Sequence, residues 1–223
     1  MALPIARVMV AAAALIAAAF GRGAEAGDVR ALVTDQKGSP VQDAVVVMVP
    51  RSGVMVSSAR PRRDVVDQID REFVPYVKAV VVGTPVDFPN NDGIRHHVYS
   101  FSPPKVFELP LYAGTPAYPI VFDRPGVVTL GCNIHDWMVG HIYVSETPYF
   151  GTTGSEGRVT LDNLPPGPYV ARVWHPSLDA AEESTARAVI IERSGTADVV
   201  WQLTLKQKFR PRRAPLPGAA GYR

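Results

Sequence analysis

From residue 27 onward no stretch of this chain sustains a helical period, and that constrains its fold more than any other feature. Short runs rich in Val, Ile, Tyr and Thr are punctuated instead by Gly, Pro, Asn and Asp, which favour turns. Strands are expected over 29–34, 44–49 and 54–58 near the start. Four more are expected over 158–161, 169–174, 186–192 and 198–205. Asp35-Gln36-Lys37-Gly38 predicts a turn after the first strand, and Leu164-Pro165-Pro166-Gly167 a rigid turn in the later group. Neither group alone makes a comfortable sandwich, whereas seven strands together suffice. The expected fold is therefore all-β. One β-sandwich is divided between 27–63 and 148–205, and a second β-domain, 64–147, is inserted into it. Residues 58–64 and 147–157 read as the linkers in and out.

The termini have their own character. Residues 1–26 read as an export signal peptide: Arg7 precedes an apolar run of 13 residues, Val8 to Phe20, and Ala24-Glu25-Ala26 is a small-x-small cleavage pattern. Thirteen residues fall short of the roughly 20 that span a bilayer, so no stable membrane insertion is expected. Cleavage is expected after Ala26, leaving a periplasmic protein in an oxidising compartment. The formal charge of +2 hides an uneven distribution. Residues 206–223 hold six basic residues, three prolines and no acid, and read as a flexible basic tail. The body, 27–205, has 15 basic and 20 acidic residues, so nucleic acid is not an expected partner.

The 223 residues include one cysteine, Cys132. That excludes an intrachain disulfide, a Cys₄ or CxxC zinc site and an iron–sulfur cluster. It also leaves an exported protein with an unpaired thiol to explain. Four of the five histidines share the 64–147 segment with it. Gly131-Cys132-Asn133-Ile134-His135-Asp136-Trp137-Met138 follows the strand-like run 126–130, and a second strand is expected over 141–144. A loop between adjacent strands can thus present a thiolate, an imidazole and a thioether together. About 35 residues earlier, Phe88-Pro89-Asn90-Asn91-Asp92-Gly93-Ile94-Arg95-His96-His97 ends a strand in a turn and supplies another imidazole. Two His, one Cys and a weak axial Met form the ligand set of a mononuclear blue-copper centre. One cysteine allows one such centre per chain. An isolated Cys is more often a small buried hydrophobe, but not in this company. His141 and His175 read as ordinary structural residues, and Trp137 as packing beside the site.

The middle segment resembles the cupredoxins, and its C-x₂-H-x₂-M spacing is closest to that of amicyanin. The string from Phe73-Val74-Pro75 through Gly83-Thr84, Phe88-Pro89-Asn90, Asp92 and His96-His97-Val98-Tyr99-Ser100 is similar to the plastocyanin-like proteins labelled methylamine utilization proteins. The resemblance implies a Greek-key β-sandwich with His96, Cys132, His135 and Met138 as copper ligands. His96 is preferred over His97 because the family pattern is His-Asn-Val, with the first residue ligating. Strand alternation also lets only one of the neighbours face the metal. His97 would then either bond the ligand loop, as the family's Asn does, or compete for copper. The outer blocks resemble transthyretin-like or carboxypeptidase-regulatory sandwiches through Val29, Val33, Asp35, Gly38, Pro40-Val41 and Ala44. The match continues over Gly157-Arg158-Val159, Leu161 and Leu164-Pro165-Pro166-Gly167-Pro168-Tyr169.

The expected function is electron transfer by a type 1 copper site, not enzymatic catalysis. Redox partners of the kind implied are a c-type cytochrome or a dehydrogenase. Ile134, Trp137, Pro103 and Pro104 are expected to surround His135 as an apolar docking patch. The alternative is non-redox copper binding and delivery, or a ligand-binding module. Delivery proteins use open clusters of Met, whereas beyond the signal this chain has only Met48, Met55 and Met138. A copper oxidase or nitrite reductase needs a second, His-rich copper site, and too few histidines remain for one. No paired acids or Ser/His/Asp context points to a hydrolase.

Overall fold

A computed structural model describes residues 26–51 and 62–206. The expected signal peptide up to residue 25, the strand over 54–58 and the tail beyond Lys206 lie outside the described residues. The chain begins with β1 (Gly27–Asp35) and β2 (Val45–Pro50). The middle holds β3 (Asp64–Val65), β4 (Asp67–Ile69), β5 (Glu72–Val74), β6 (Val77–Val81) and β7 (Thr84–Asp87). It continues through β8 (His96–Ser102), β9 (Lys105–Tyr112), β10 (Ile120–Phe122), β11 (Gly126–Cys132) and β12 (His135–Ser145). Then follow β13 (Phe150–Thr152), β14 (Arg158–Leu164), β15 (Gly167–Trp174), β16 (Arg187–Ile191) and β17 (Thr196–Leu203). A 3-10 turn at Glu182–Thr185 is the one helical element among the described residues. None of the described helices is long and apolar enough to cross a membrane.

Period-two alternation explains the outer strands. In β1, Val29, Ala31 and Val33 turn inward while Arg30 is exposed. In β17, Val199, Trp201 and Leu203 do the same. The first and last strands pair in parallel, Asp28 opposite Thr196 through to Asp35 opposite Leu203. The sheet β14-β1-β17 and the sheet β13-β2-β15-β16 share a core of Val29, Val33, Met48, Leu164, Tyr169, Val173 and Trp201. Burying each aliphatic or Met side chain of this kind contributes about 1.5–3 kcal/mol. Asp35 fixes the first turn by accepting from the Lys37 and Ser39 amides, each at 2.8 Å.

The 147–157 segment is not simply a linker. Phe150–Thr152 pairs with β2, Phe150 opposite Val47, and Thr153 Oγ1 accepts from the Ala44 amide while donating to the Val41 carbonyl. The glycine that reads as punctuation is required by packing: a Cβ on Gly151 would lie 2.6 Å from the Val159 side chain.

In the middle segment the sheets β10-β7-β3 and β6-β12-β11-β8-β9 enclose a second core. It contains Phe88, Val98, Phe122, Leu130, Cys132, Met138 and Ile142. The β12 strand serves two cores at once. Its Met138, Ile142 and Val144 face this interior. Tyr143 on the other face joins Val77 of β6 and Val45 and Val47 of β2 in a third cluster. The two pairs of sheets therefore meet along a packed apolar seam.

Candidate metal centre

Three strand ends place the donors. On β11, Val128, Leu130 and Cys132 alternate inward, so the thiol enters the core at the last position of the strand. Asn133 and Ile134 turn the chain, and His135 pairs directly across from Cys132. Gly131, one residue earlier, pairs with Val139. The register therefore slips, and β12 carries Asp136, Trp137 and Met138 as extra residues. Such a bulge re-aims side chains. Met138 is 1% exposed and belongs to the same buried cluster as Cys132.

His96 opens β8 with no exposed surface. Its Nδ1 lies 3.8 Å from the Cys132 Sγ, and His135 Nδ1 lies at the same distance from that sulfur. The donor atoms of His96, Cys132 and His135 all fall within 4.8 Å of one another. Metal–nitrogen and metal–sulfur bonds of about 2.0 and 2.3 Å, opened to near 120°, separate their donors by about 3.7 Å. The spacing is that of a trigonal His₂Cys site, with soft and borderline donors suited to one copper ion. Burial, then the His96 and Arg71 charges, lower the His135 pKa, while Asp92 acts in the opposite direction. That shift preserves the neutral imidazole a metal requires.

The neighbouring histidine points elsewhere. His97 Nε2 lies 2.9 Å from Glu108 Oε1, and its ring approaches Tyr99 at 5.5 Å. It neither joins the donor cluster nor takes the place of an Asn bonding the ligand loop; its Nδ1 is buried without a hydrogen bond. Alternation along β8 separates the two neighbours.

His135 stands between His96 and Trp137, with ring centroids 5.0 Å from each. Ile134 beside it is 48% exposed. The expected docking patch is corrected in its other half. Pro103 and Pro104 form the β8–β9 turn, and Pro104 lies against Gly126 at the start of β11, whereas Cys132 ends that strand. Six residues of strand, about 20 Å, separate the prolines from the donors. His141 is held at the seam, edge-on to Tyr76 and Trp174. His175 accepts from the Ser177 amide in an outer-sheet turn.

Asp92 has no assigned role in the sequence reading, yet its Oδ2 lies 2.6 Å from His96 Nε2. Its loop is tied by Asn90, whose Nδ2 donates to the carbonyls of Ile94 and Tyr112. Beneath it, buried Gln68 donates to Tyr112 Oη and the Pro89 carbonyl. An Asp four residues before His96 was the available signal.

No protein-family model matches the chain, and no curated protein matches it. Solved structures do. A Cu-containing nitrite reductase from Thermus scotoductus SA-01 is 29% identical, covering 42% of this chain and 25% of its own, with a TM-score of 0.36. A purple cupredoxin from Nitrosopumilus maritimus is 26% identical over 37% of this chain and 99% of its own, with a TM-score of 0.33. A reduced amicyanin variant is 22% identical over 42% of this chain and 100% of its own, with a TM-score of 0.34. The chain thus spans about a quarter of the length of the nitrite reductase. Copper is assigned to the site on the donor set and its spacing.

Proposed function

We propose that the chain is an exported one-electron carrier. Its 64–147 segment is a cupredoxin unit holding one copper through His96, Cys132, His135 and Met138. The observation that carries this reading is the approach of two imidazole Nδ1 atoms to one buried thiol, each at 3.8 Å. Bound copper supplies a one-electron couple between its +1 and +2 states.

The chain holds the donors still. His96 and Cys132 sit at strand ends in a packed core, so little moves when the charge at the site changes. Met138 brings a soft thioether from the interior side. His135 is the least buried of the three clustered donors, and its ring contact with Trp137 makes it the way out for the electron. Burial favours a carrier over a delivery protein. Delivery requires an acceptor to reach the donors, and His96 and Cys132 are 0% and 4% exposed.

The partner is then a redox protein, such as a c-type cytochrome or a dehydrogenase, met in the periplasm. The outer strands of 27–63 and 148–205 form a carboxypeptidase-regulatory-like sandwich that carries the copper unit. The test is a visible and EPR spectrum of the copper-loaded protein beside Cys132→Ser. The expected result is an intense Cu(II)–thiolate band near about 600 nm that the variant loses while keeping its fold. A colourless, copper-loaded wild type would reject the reading.

A further inference from the structure

We propose that Asp92 is a positioning residue that fixes the tautomer of His96 and favours the oxidised state of the site. This rests on the copper reading. The carboxylate is largely enclosed, 11% exposed, against a ligand with no exposed surface. Its Oδ1 accepts from the Asp70 amide at 2.6 Å, and its Oδ2 from the Arg71 amide at 2.9 Å. The third contact is His96 Nε2, 2.6 Å from Oδ2. A group already accepting two N–H bonds makes Nε2 the next donor. Nδ1 is then the nitrogen with the free lone pair, and it is Nδ1 that faces the Cys132 sulfur.

The carboxylate cannot easily swing away. The Asp92 amide donates to Asn90 Oδ1 at 3.0 Å, and Asn90 is held by two carbonyls of the same loop and of β9. On the other side, Asp70 and Arg71 form the β4–β5 turn in left-handed conformation, at φ 51° and 58°. That conformation aims two successive amides at one carboxylate. Asp92 therefore joins the β4–β5 turn to the far side of a ligand ring. A negative charge one imidazole away from the metal stabilises the extra positive charge of Cu(II) over Cu(I). Low dielectric around the enclosed pair increases the effect.

The test compares full-length, copper-loaded wild type and Asp92→Asn by reduction potential and by separate Cu(I) and Cu(II) affinities. The expected loss is about tenfold or more in Cu(II) affinity relative to Cu(I), an upward shift of at least about 59 mV for one electron. A residue that only ties the loop would weaken both states equally and leave the potential unchanged, which overturns the proposal. A wild type lacking the blue band would instead remove the copper reading beneath it, whatever the variant does. A second measurement needs no variant. In the Cu(I) protein, nitrogen-15 NMR is expected to show His96 Nε2 protonated and its proton slow to exchange. An unprotonated Nε2 overturns the proposal even if Asp92→Asn fails to fold.

Discussion

The ring of Tyr99 lies against the backbone of Gly131, so close that a Cβ on Gly131 would stand 2.7 Å from the ring carbon Cζ. The two residues are paired across β8 and β11, and Gly131 immediately precedes Cys132. Tyr99 also links His97 and Phe101 in a row of rings on the same strand, at 5.5 and 5.1 Å. A missing side chain on one strand is thus filled by an aromatic from the next, at the residue immediately before Cys132.

Gly131→Ala should therefore harm both stability and the site. Overpacking of this kind costs about 1–3 kcal/mol, and the displacement falls on the residue next to Cys132. Urea denaturation of copper-free protein should show the loss, and the copper-loaded variant should show a shifted or weakened Cu(II)–thiolate band. Tyr99→Ala in the same chain should restore part of both, because it removes the ring that the new methyl meets. Equal losses in the single and double variants would show that the Tyr99 contact is not the cause.

The legible part of the site was the part written locally. Cys132 and His135 flank one two-residue turn, so their spacing alone brings them near each other, and Met138 three residues on is buried in the same cluster as Cys132. Alternation along β8 separates His96 from His97 before any contact is known, and His96 is the one whose ring meets Cys132. Asp92 was not legible in the same way. A loop carboxylate acquires its meaning from the Asp70 and Arg71 amides, which come from a different hairpin. Pro103 and Pro104 failed for a related reason. Their place depends on β8 running antiparallel to β11, which carries their turn to the end of the sheet opposite the donors. At Phe150–Thr152 a glycine needed for close packing looked like one needed for a turn.

The seam between the sheet pairs contains a second enclosed polar contact, and it gives a pH dependence. Tyr143 on β12 donates its hydroxyl to Glu182 Oε1 at 2.7 Å, with Arg172 Nε 3.5 Å from the same oxygen. Burial raises the Glu182 carboxyl above its usual value of 4.5, opposed by the Tyr143 hydrogen bond and the Arg172 charge. A carboxyl raised in the folded state keeps its proton where the unfolded chain has lost it. Stability then falls as pH rises from the ordinary glutamate range through the raised value. Urea denaturation of wild type and Glu182→Gln from about pH 4 to 8 should show the wild type losing stability relative to the variant across that rise. A difference that stays flat or grows in favour of wild type would contradict the assignment.

The apolar part of the same seam should make the two pairs of sheets unfold together. Val47 is 1% exposed on β2 and shares a cluster with Val77 and Tyr143 from the copper-site half. With Trp137 replaced by Phe throughout, the halves carry separate reporters: Trp174 on β15 and Trp201 on β17 report the outer strands, and the donor cluster reports the middle half. With Val47 intact, fluorescence and the copper band should be lost in one coincident transition. Val47→Asp places an unpaired carboxylate where no water reaches, a cost of several kcal/mol. That cost falls on β2 and the seam, and reaches the donor-bearing strands only through Tyr143 and its neighbours on the outer face of β12. The fluorescence transition should move to lower urea, with the copper band persisting beyond it. Coincident transitions in Val47→Asp would mean that the halves are coupled by something other than this cluster. Separated transitions with Val47 intact would mean that the seam is too weak to couple them at all.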